Sequence, residues 1–252
     1  MKRIALFVTV VAGLLFTSMA MAQDAGKPDG QKILERVDQV TNQYKDQIMQ
    51  VTYTITDVDG SKKSYDLTTY QLGDEQRLIR FHSGEIKGMS MLIENRNNMY
   101  VYLPGYKKVR RIAAHNMNQS FAGSDMSNDD MSNVSWSKAW NAVYEKEDEN
   151  YYYIKLTQKP GENKAYAWVR MKAGKKDGFQ WGAEYYNAAG EMVKKAEMQN
   201  LKTYPGGGLL HEAITYTDPR TGHSTLIFVH DLKVNQGLKQ SMFTTRELEW
   251  GR

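Results

Sequence analysis

Short runs of alternating apolar and polar residues recur along most of this 252-residue chain and constrain its fold more than any other feature. In one run, Met49, Val51, Tyr53 and Ile55 alternate with polar residues, as expected for a half-buried strand. Comparable runs follow, among them residues 151–158 and 209–217, joined by sequences rich in Gly, Pro, Asn and Asp, and the last predicted strand is residues 244–250. Strands joined by hairpins predict one antiparallel sheet, and a sheet of about ten or eleven strands curls.

Two segments break this alternation and are predicted to be helical. Residues 31–47 place apolar side chains three and four positions apart, and Asp29 precedes them as a candidate N-cap. Residues 116–146 contain Trp136 and Trp140 at a similar spacing and predict one or two short helices. Because each helix must bury its apolar side, we expect both to cover the concave face of the sheet. The predicted fold class is therefore mainly β (α+β), an open half-barrel covered by helices.

The beginning of the chain has the features of a secretory signal peptide. Lys2 and Arg3 precede a mostly apolar run that ends at Phe16, and an Ala-Met-Ala sequence follows. The run is too short to cross a bilayer comfortably, so a retained membrane anchor is the weaker interpretation. We predict a signal peptide at residues 1–22 and a single exported domain at residues 23–252, because no change of composition marks a linker.

The composition excludes several functions. The chain has no cysteine, which rules out disulfides, thiol nucleophiles and a lipid-bearing cysteine after the signal peptide. Its net charge of +4 is too small to indicate nucleic-acid binding. The five histidines lack metal-ligand spacing, and Asp125, Asp129 and Asp130 lack the spacing of an EF-hand. Since no nucleophile elbow, phosphate-binding loop or dinucleotide motif occurs, we predict no enzyme, no metal and no cofactor.

Residues 99–131 carry the most specific motif. An aromatic strand is followed by Leu-Pro, by the basic sequence Lys-Lys-Val-Arg-Arg-Ile, and then by Phe-Ala-Gly-Ser-Asp ending at Asp125. This order resembles the signature of the LolA-like outer-membrane lipoprotein-sorting proteins of Gram-negative bacteria. One difference is that the family usually has an aromatic residue at the position of Asn128.

The resemblance implies a periplasmic carrier with an apolar cavity. Such a carrier takes lipid or the acyl chains of lipoproteins from an inner-membrane transporter, passes them to an outer-membrane acceptor, and contacts membranes only transiently. Alternation along the strands and the softness of methionine select candidate cavity residues, although each is equally compatible with an ordinary core. These candidates are Ile79, Phe81, Met89, Met91, Ile93, Trp136, Trp140, Phe179, Trp181, Leu226 and Phe228.

Three charged residues are candidates for lid control, headgroup contact or partner binding: Arg110, Arg111 and Asp125. In the family an inward arginine is thought to hold the lid shut, and Arg111 is the first candidate here. Asp125 is predicted to cap a lid helix or to pair with a basic residue such as Arg111 or Arg110. Ser127, followed by Asp130 three residues later, also resembles a helix start. The alternative is that the basic residues form a solvated strand face.

Two other functions are weighed against the carrier. The first is a non-enzymatic envelope adaptor, whose sheet edge or basic strand docks an inner-membrane lipid transporter of the RND or ABC type. It predicts a filled interior in place of a cavity. The second is an envelope hydrolase, for which the sequence supplies no cluster of catalytic residues.

Overall fold

The computed structural model describes residues 26–250. The predicted signal peptide therefore lies outside the described residues, as do the first residues of the predicted domain. None of the helices in the described part is both long enough and apolar enough to cross a membrane.

Within residues 26–250, thirteen strands form one antiparallel sheet, in the order β6-β5-β4-β3-β2-β1-β13-β12-β11-β10-β9-β8-β7. Every neighbouring pair except β1 with β13 is consecutive in the chain, and β6 and β7 are the two edges of the open sheet. The predicted fold class is confirmed. The strands are β1 Asp46–Thr56, β2 Lys62–Leu72, β3 Gln76–Phe81, β4 Ser90–Asn95, β5 Asn98–Leu103, β6 Lys108–Arg111, β7 Trp140–Glu147, β8 Tyr151–Gln158, β9 Trp168–Gly174, β10 Gln180–Tyr186, β11 Met192–Thr203, β12 Leu209–Thr217 and β13 Ser224–Val234.

The N-terminal helix α1, Gly30–Thr41, covers one half of the inner face of the sheet. Asp29 caps it by accepting hydrogen bonds from two backbone amides of its first turn, as predicted. Leu34 and Val37 are buried against β7 to β10. The helix starts so close to β7 that a Cβ at Gly30 would lie 2.5 Å from the backbone nitrogen of Tyr144, which explains the glycine.

The other half of the inner face is covered by residues 113–136, which we call the lid segment. Its short helix α2, Asn128–Ser132, begins with a capping box in which Ser127 and Asp130 each accept a hydrogen bond from the other's backbone amide. Phe121, Met126 and Met131 of the lid segment are buried against β1 to β4. The helix start predicted at Ser127 is thus confirmed.

Two predicted elements are wrong, and the N-terminal helix ends at Thr41, although it was predicted to reach residue 47. The helical insertion was expected to reach residue 146, but Trp140 begins strand β7, in which alternate side chains turn inward with period two. Residues 244–250 were expected to form a strand and instead form helix α3, Thr245–Trp250. Phe243 and Leu248 cover an apolar patch on the outer face of β3 to β5, made by Leu78, Leu92 and Tyr102. Burial of this patch accounts for a short helix where local alternation suggested a strand.

Candidate functional site

A cavity of about 230 Å³ lies on the inner face, between the half covered by α1 and the half covered by the lid segment. Strands β1 to β3 and β10 to β13 supply its walls, and the lid segment closes it. Four methionines line it, which are Met49, Met126, Met131 and Met198. Because methionine is flexible and polarizable, this lining can adapt to apolar ligands of irregular shape.

A buried ion pair attaches the lid segment to the sheet. Oδ2 of Asp130 in α2 accepts hydrogen bonds from Lys194 Nζ at 2.7 Å and from the Tyr166 hydroxyl at 2.9 Å. The Lys194 side chain is only 4% exposed, and its ammonium lies 4.1 Å from the centre of the Tyr185 ring. Burial lowers the pKa of Lys194, although Asp130 acts in the opposite direction. A second buried pair, Lys164 Nζ with Asp129 Oδ1 at 2.8 Å, lies beside it, and the two pairs together hold the lid helix in place.

Arg77 of β3 makes a second connection to the lid segment. Its Nη1 donates to the backbone carbonyl of Met131 at 3.2 Å, and its Nη2 donates to Gln71 Oε1 at 3.0 Å. Burial lowers the pKa of Arg77 from its ordinary value, but a guanidinium group stays protonated. Among the described residues, its Nε has no hydrogen-bond partner. A buried cation is therefore held by uncharged groups, one of which belongs to the lid.

His211 of β12 lines the cavity on the side of β10 and is 4% exposed. Phe179 and Trp181 contact it edge-on, with ring centres 5.8 Å and 4.7 Å away. Burial lowers the pKa of His211, while Asp177 and nearby backbone groups act in the opposite direction. Within residues 26–250, both ring nitrogens and Nε2 of the neighbouring Gln180 lack hydrogen-bond partners.

Comparisons with known proteins identify a family and several similar folds. A family model described as "Uncharacterized protein" matches residues 73–250. The chain belongs to that family. A DUF1329 family protein from Desulfovibrio piger is 25% identical, with a TM-score of 0.79 over 87% of this chain and 97% of that chain. No curated protein matches the sequence.

Two further structures show the same fold at lower identity. One is an outer-membrane lipoprotein-sorting protein domain from Vibrio parahaemolyticus, 20% identical, with a TM-score of 0.78 over 87% of this chain and 98% of that chain. The other is a LolA superfamily protein from Nitrosomonas europaea, 18% identical, with a TM-score of 0.73 over 88% of this chain and all of that one. The fold that the LolA-like resemblance implied is confirmed, and "LolA-like" refers below to that fold.

Three of the cavity candidates chosen from the sequence line the cavity of this LolA-like chain: Ile79, Trp136 and Phe179. Four others lie deep in the core beneath the lid segment, away from the cavity wall, namely Phe81, Met89, Met91 and Ile93. Trp140 packs with α1 on the other half of the sheet. A substitution at Met91, which is fully buried, would therefore test the core and not the cavity.

The remaining three candidates lie elsewhere. Trp181 lines a separate groove of about 430 Å³ with Tyr151 and Glu197, although its ring also contacts His211. Leu226 and Phe228 point to the outer face, because the alternate residues Ile227 and Val229 of β13 point inward and line the cavity. The alternation predicted for β13 is correct, but the residues predicted to face inward are those that face outward.

The basic residues of β6 are not part of the lid contacts. Arg111 donates to Asn98 Oδ1 at 2.6 Å and is exposed at the sheet edge. Arg110 lies over the ring of Tyr106, with 5.6 Å between the guanidinium carbon and the ring centre. The arginine that contacts the lid is Arg77, which sequence reasoning missed. The signal was present, since Arg77 shares its strand face with Ile79, which was selected as inward-facing.

Asp125 does not cap α2, so that prediction is wrong, and the basic residue beside it is His223 and neither Arg110 nor Arg111. It accepts a hydrogen bond from Thr225 Oγ1 at 2.7 Å, and its Oδ1 lies 2.9 Å from His223 Nδ1. These contacts tie the lid segment to β13. Asn128, which stands where an aromatic residue is usual, donates to the backbone carbonyl of Asn116 at 3.0 Å and so closes the lid segment on itself.

The lowered pKa of His211 predicts a pH dependence of stability. Below an ordinary histidine pKa of 6.5, the unfolded chain takes up a proton that buried His211 resists, so the free energy of unfolding falls as the pH decreases. We expect denaturant titrations between about pH 8 and pH 5 to show a steeper loss for the natural chain than for His211→Gln, which cannot titrate. Parallel curves for the two proteins would contradict this assignment.

Proposed function

We propose that this LolA-like chain is a periplasmic carrier that binds lipid, or the acyl chains of lipoproteins, in the inner-face cavity and passes them toward the outer membrane. The observation that carries the proposal is a largely apolar cavity beneath a lid segment, which is held by two buried ion pairs, Asp130 with Lys194 and Asp129 with Lys164, and by Arg77. The description of the Vibrio parahaemolyticus structure as a lipoprotein-sorting domain supports it. Localisation rests on the signal peptide predicted from the sequence.

The cavity is too small to take an acyl chain while the lid segment lies in this position. A volume of about 230 Å³ is below the range of about 300–1,000 Å³ that is usual for ligand pockets. An acyl chain must therefore displace the lid segment. Each buried CH₂ contributes about 0.8 kcal/mol, so ten such groups contribute about 8 kcal/mol. We propose that this gain from burying the acyl chain is what displaces the lid segment.

A carrier must also release its ligand, which requires partners. We propose an inner-membrane donor, an outer-membrane acceptor and transient contact with membranes. The edge strand β6 is a suitable contact surface, because Arg110 and Arg111 are exposed there and carry charge complementary to an acidic partner or to anionic headgroups. Capture and release require no covalent step, so the proposed role is not enzymatic.

The carrier proposal predicts that Met49→Glu abolishes ligand capture. Met49 lines the cavity and is half-buried, so a glutamate there places a carboxylate where the acyl chain would lie. The matched control is Ile48→Glu, since Ile48 is also half-buried but points to the other face of β1. Native mass spectrometry of the protein purified from a periplasm without detergent should show a co-purifying lipid or acylated peptide in the natural chain and in Ile48→Glu.

A clean unliganded mass for the natural chain that persists after lipid is added would refute the carrier and favour the envelope adaptor. Loss of ligand in both variants would mean that the charge acts through stability and not through the cavity. Thermal unfolding of the two variants provides the check on folding.

A further inference from the structure

The part of the cavity wall formed by β10 and β12 contains hydrogen-bonding groups that are buried and unpaired. Among the described residues, neither ring nitrogen of His211 nor Nε2 of Gln180 makes a hydrogen bond of good geometry, although backbone groups of Gln180 and Gln199 lie close to the imidazole and the Gln180 side chain lies close to Tyr185. Both residues line the cavity. Leaving a buried polar group unpaired costs about 1–3 kcal/mol, and such groups are rare in native proteins. A ligand that enters the cavity can supply the missing partners.

The imidazole is held rigidly where it meets the cavity. Phe179 and Trp181 contact His211 edge-on, with interplanar angles of 88° and 82°. The carboxylate of Asp177 holds both of these residues, since Oδ1 accepts from the Phe179 backbone amide at 2.8 Å and Oδ2 from Trp181 Nε1 at 3.1 Å. An ordered side chain loses little entropy when it makes a new hydrogen bond. The arrangement is therefore suited to recognition of a polar group.

The chemistry of these groups selects a neutral ligand. A neutral imidazole offers one donor and one acceptor, and the Gln180 amide adds a donor. The Asp177 carboxylate acts electrostatically on His211, and its negative charge disfavours an anion at the same place. The cation in this cavity, Arg77, lies on β3, four strands from β12 in the sheet, so its unpaired Nε belongs to the opposite side of the cavity. Carboxylate and phosphate groups are thus poor partners for this end of the cavity.

We propose that His211 and Gln180 form a subsite for an uncharged end group that both donates and accepts hydrogen bonds, a hydroxyl or an amide, on an otherwise apolar chain. This inference rests on the proposed carrier function and deepens it, because it names the class of ligand. The apolar part of the ligand lies against Met198, Leu210 and Ile214, which line the cavity with these two residues. A purely apolar chain would leave the polar groups of the subsite unpaired.

The test is displacement of the fluorescent probe N-phenyl-1-naphthylamine by three ligands of equal chain length, namely 1-decanol, decanamide and decanoate. We expect the natural chain to prefer the alcohol and the amide to the carboxylate. His211→Phe should weaken the alcohol and the amide by about ten-fold, which is the loss of one or two hydrogen bonds, without changing affinity for the probe or for decanoate. His211→Gln keeps a donor and an acceptor and should retain most of the preference. Gln180→Met should behave like His211→Phe, to a smaller degree.

The outcomes separate the subsite from the carrier function. Equal affinity of the natural chain for the three ligands, or equal weakening of all three in His211→Phe, would overturn the subsite and leave the carrier intact. Failure of the natural chain to bind the probe and every ligand would overturn both. Near-ultraviolet circular dichroism of each variant shows whether the tertiary packing around Phe179 and Trp181 is preserved, and Gln180→Met provides a second variant if His211→Phe does not fold.

Discussion

Replacing Asp130 with Asn is expected to lower the free energy of unfolding by about 3–5 kcal/mol, because it leaves the buried ammonium group of Lys194 without its counter-ion. The same oxygen of Asp130 also accepts hydrogen bonds from Tyr166 and from the backbone of Ser127. An asparagine can replace only part of this set, and it brings no charge. The measurement is equilibrium denaturation in urea at neutral pH, followed by circular dichroism.

Two controls assign this loss to the buried pair. The exposed pair of Lys195 with Glu197, whose side chains are 45% and 56% exposed, lies on the same strand, and Glu197→Gln should cost less than about 1 kcal/mol. Adding Lys194→Met to Asp130→Asn removes the unpaired charge and should recover much of the stability. If the double variant were no more stable than Asp130→Asn, the loss would come from the broken capping box of α2 and not from the ion pair.

The sheet could be predicted from the sequence, because the pattern that marks each strand lies within the residues of that strand. The strands Tyr151–Gln158 and Leu209–Thr217 were predicted with their observed bounds, since period-two alternation and flanking turns lie within each segment. Strand β7 was missed because Trp136 and Trp140 have a spacing that also fits one turn of helix. Helix α3 was missed because it depends on an apolar patch of the outer face, made by strands far away in the chain.

The site was less predictable, because its contacts join distant positions. Lys194 and Asp130 are 64 residues apart, and their pairing depends on where the lid segment crosses β11. His211 lies beside Gln180 and Trp181 because of the way β12 pairs with β11 and β11 pairs with β10. The irregularity near Gln180 in the pairing of β10 with β9 also contributes to this arrangement. Arg77 alone was accessible from local pattern, because it shares its strand face with Ile79. A charged residue at an inward strand position is the signal that identifies it.

Because Arg77 contacts the lid segment, replacing Arg77 should loosen the lid segment without lowering the stability of the whole fold. Arg77→Met removes the hydrogen bond to the carbonyl of Met131, but it also removes a buried charge that lacks a carboxylate partner. A hydrogen bond from a charged donor contributes about 1.5–3 kcal/mol, whereas replacing a buried charge by an apolar side chain of similar volume is often neutral. We therefore expect the lid to open more often while the free energy of global unfolding changes little.

Hydrogen exchange measures this directly. The backbone amides of Met131 and Asn133, which donate to Ser127 and Asp130 in the closed lid, should exchange about ten- to a hundred-fold faster in Arg77→Met. Arg80→Met is the matched control, because Arg80 lies on the other face of β3 and contacts Glu247 of α3 at 3.1 Å. It should accelerate exchange in α3 and leave α2 unchanged. Faster exchange of α2 in both variants, or in neither, would show that Arg77 does not hold the lid closed.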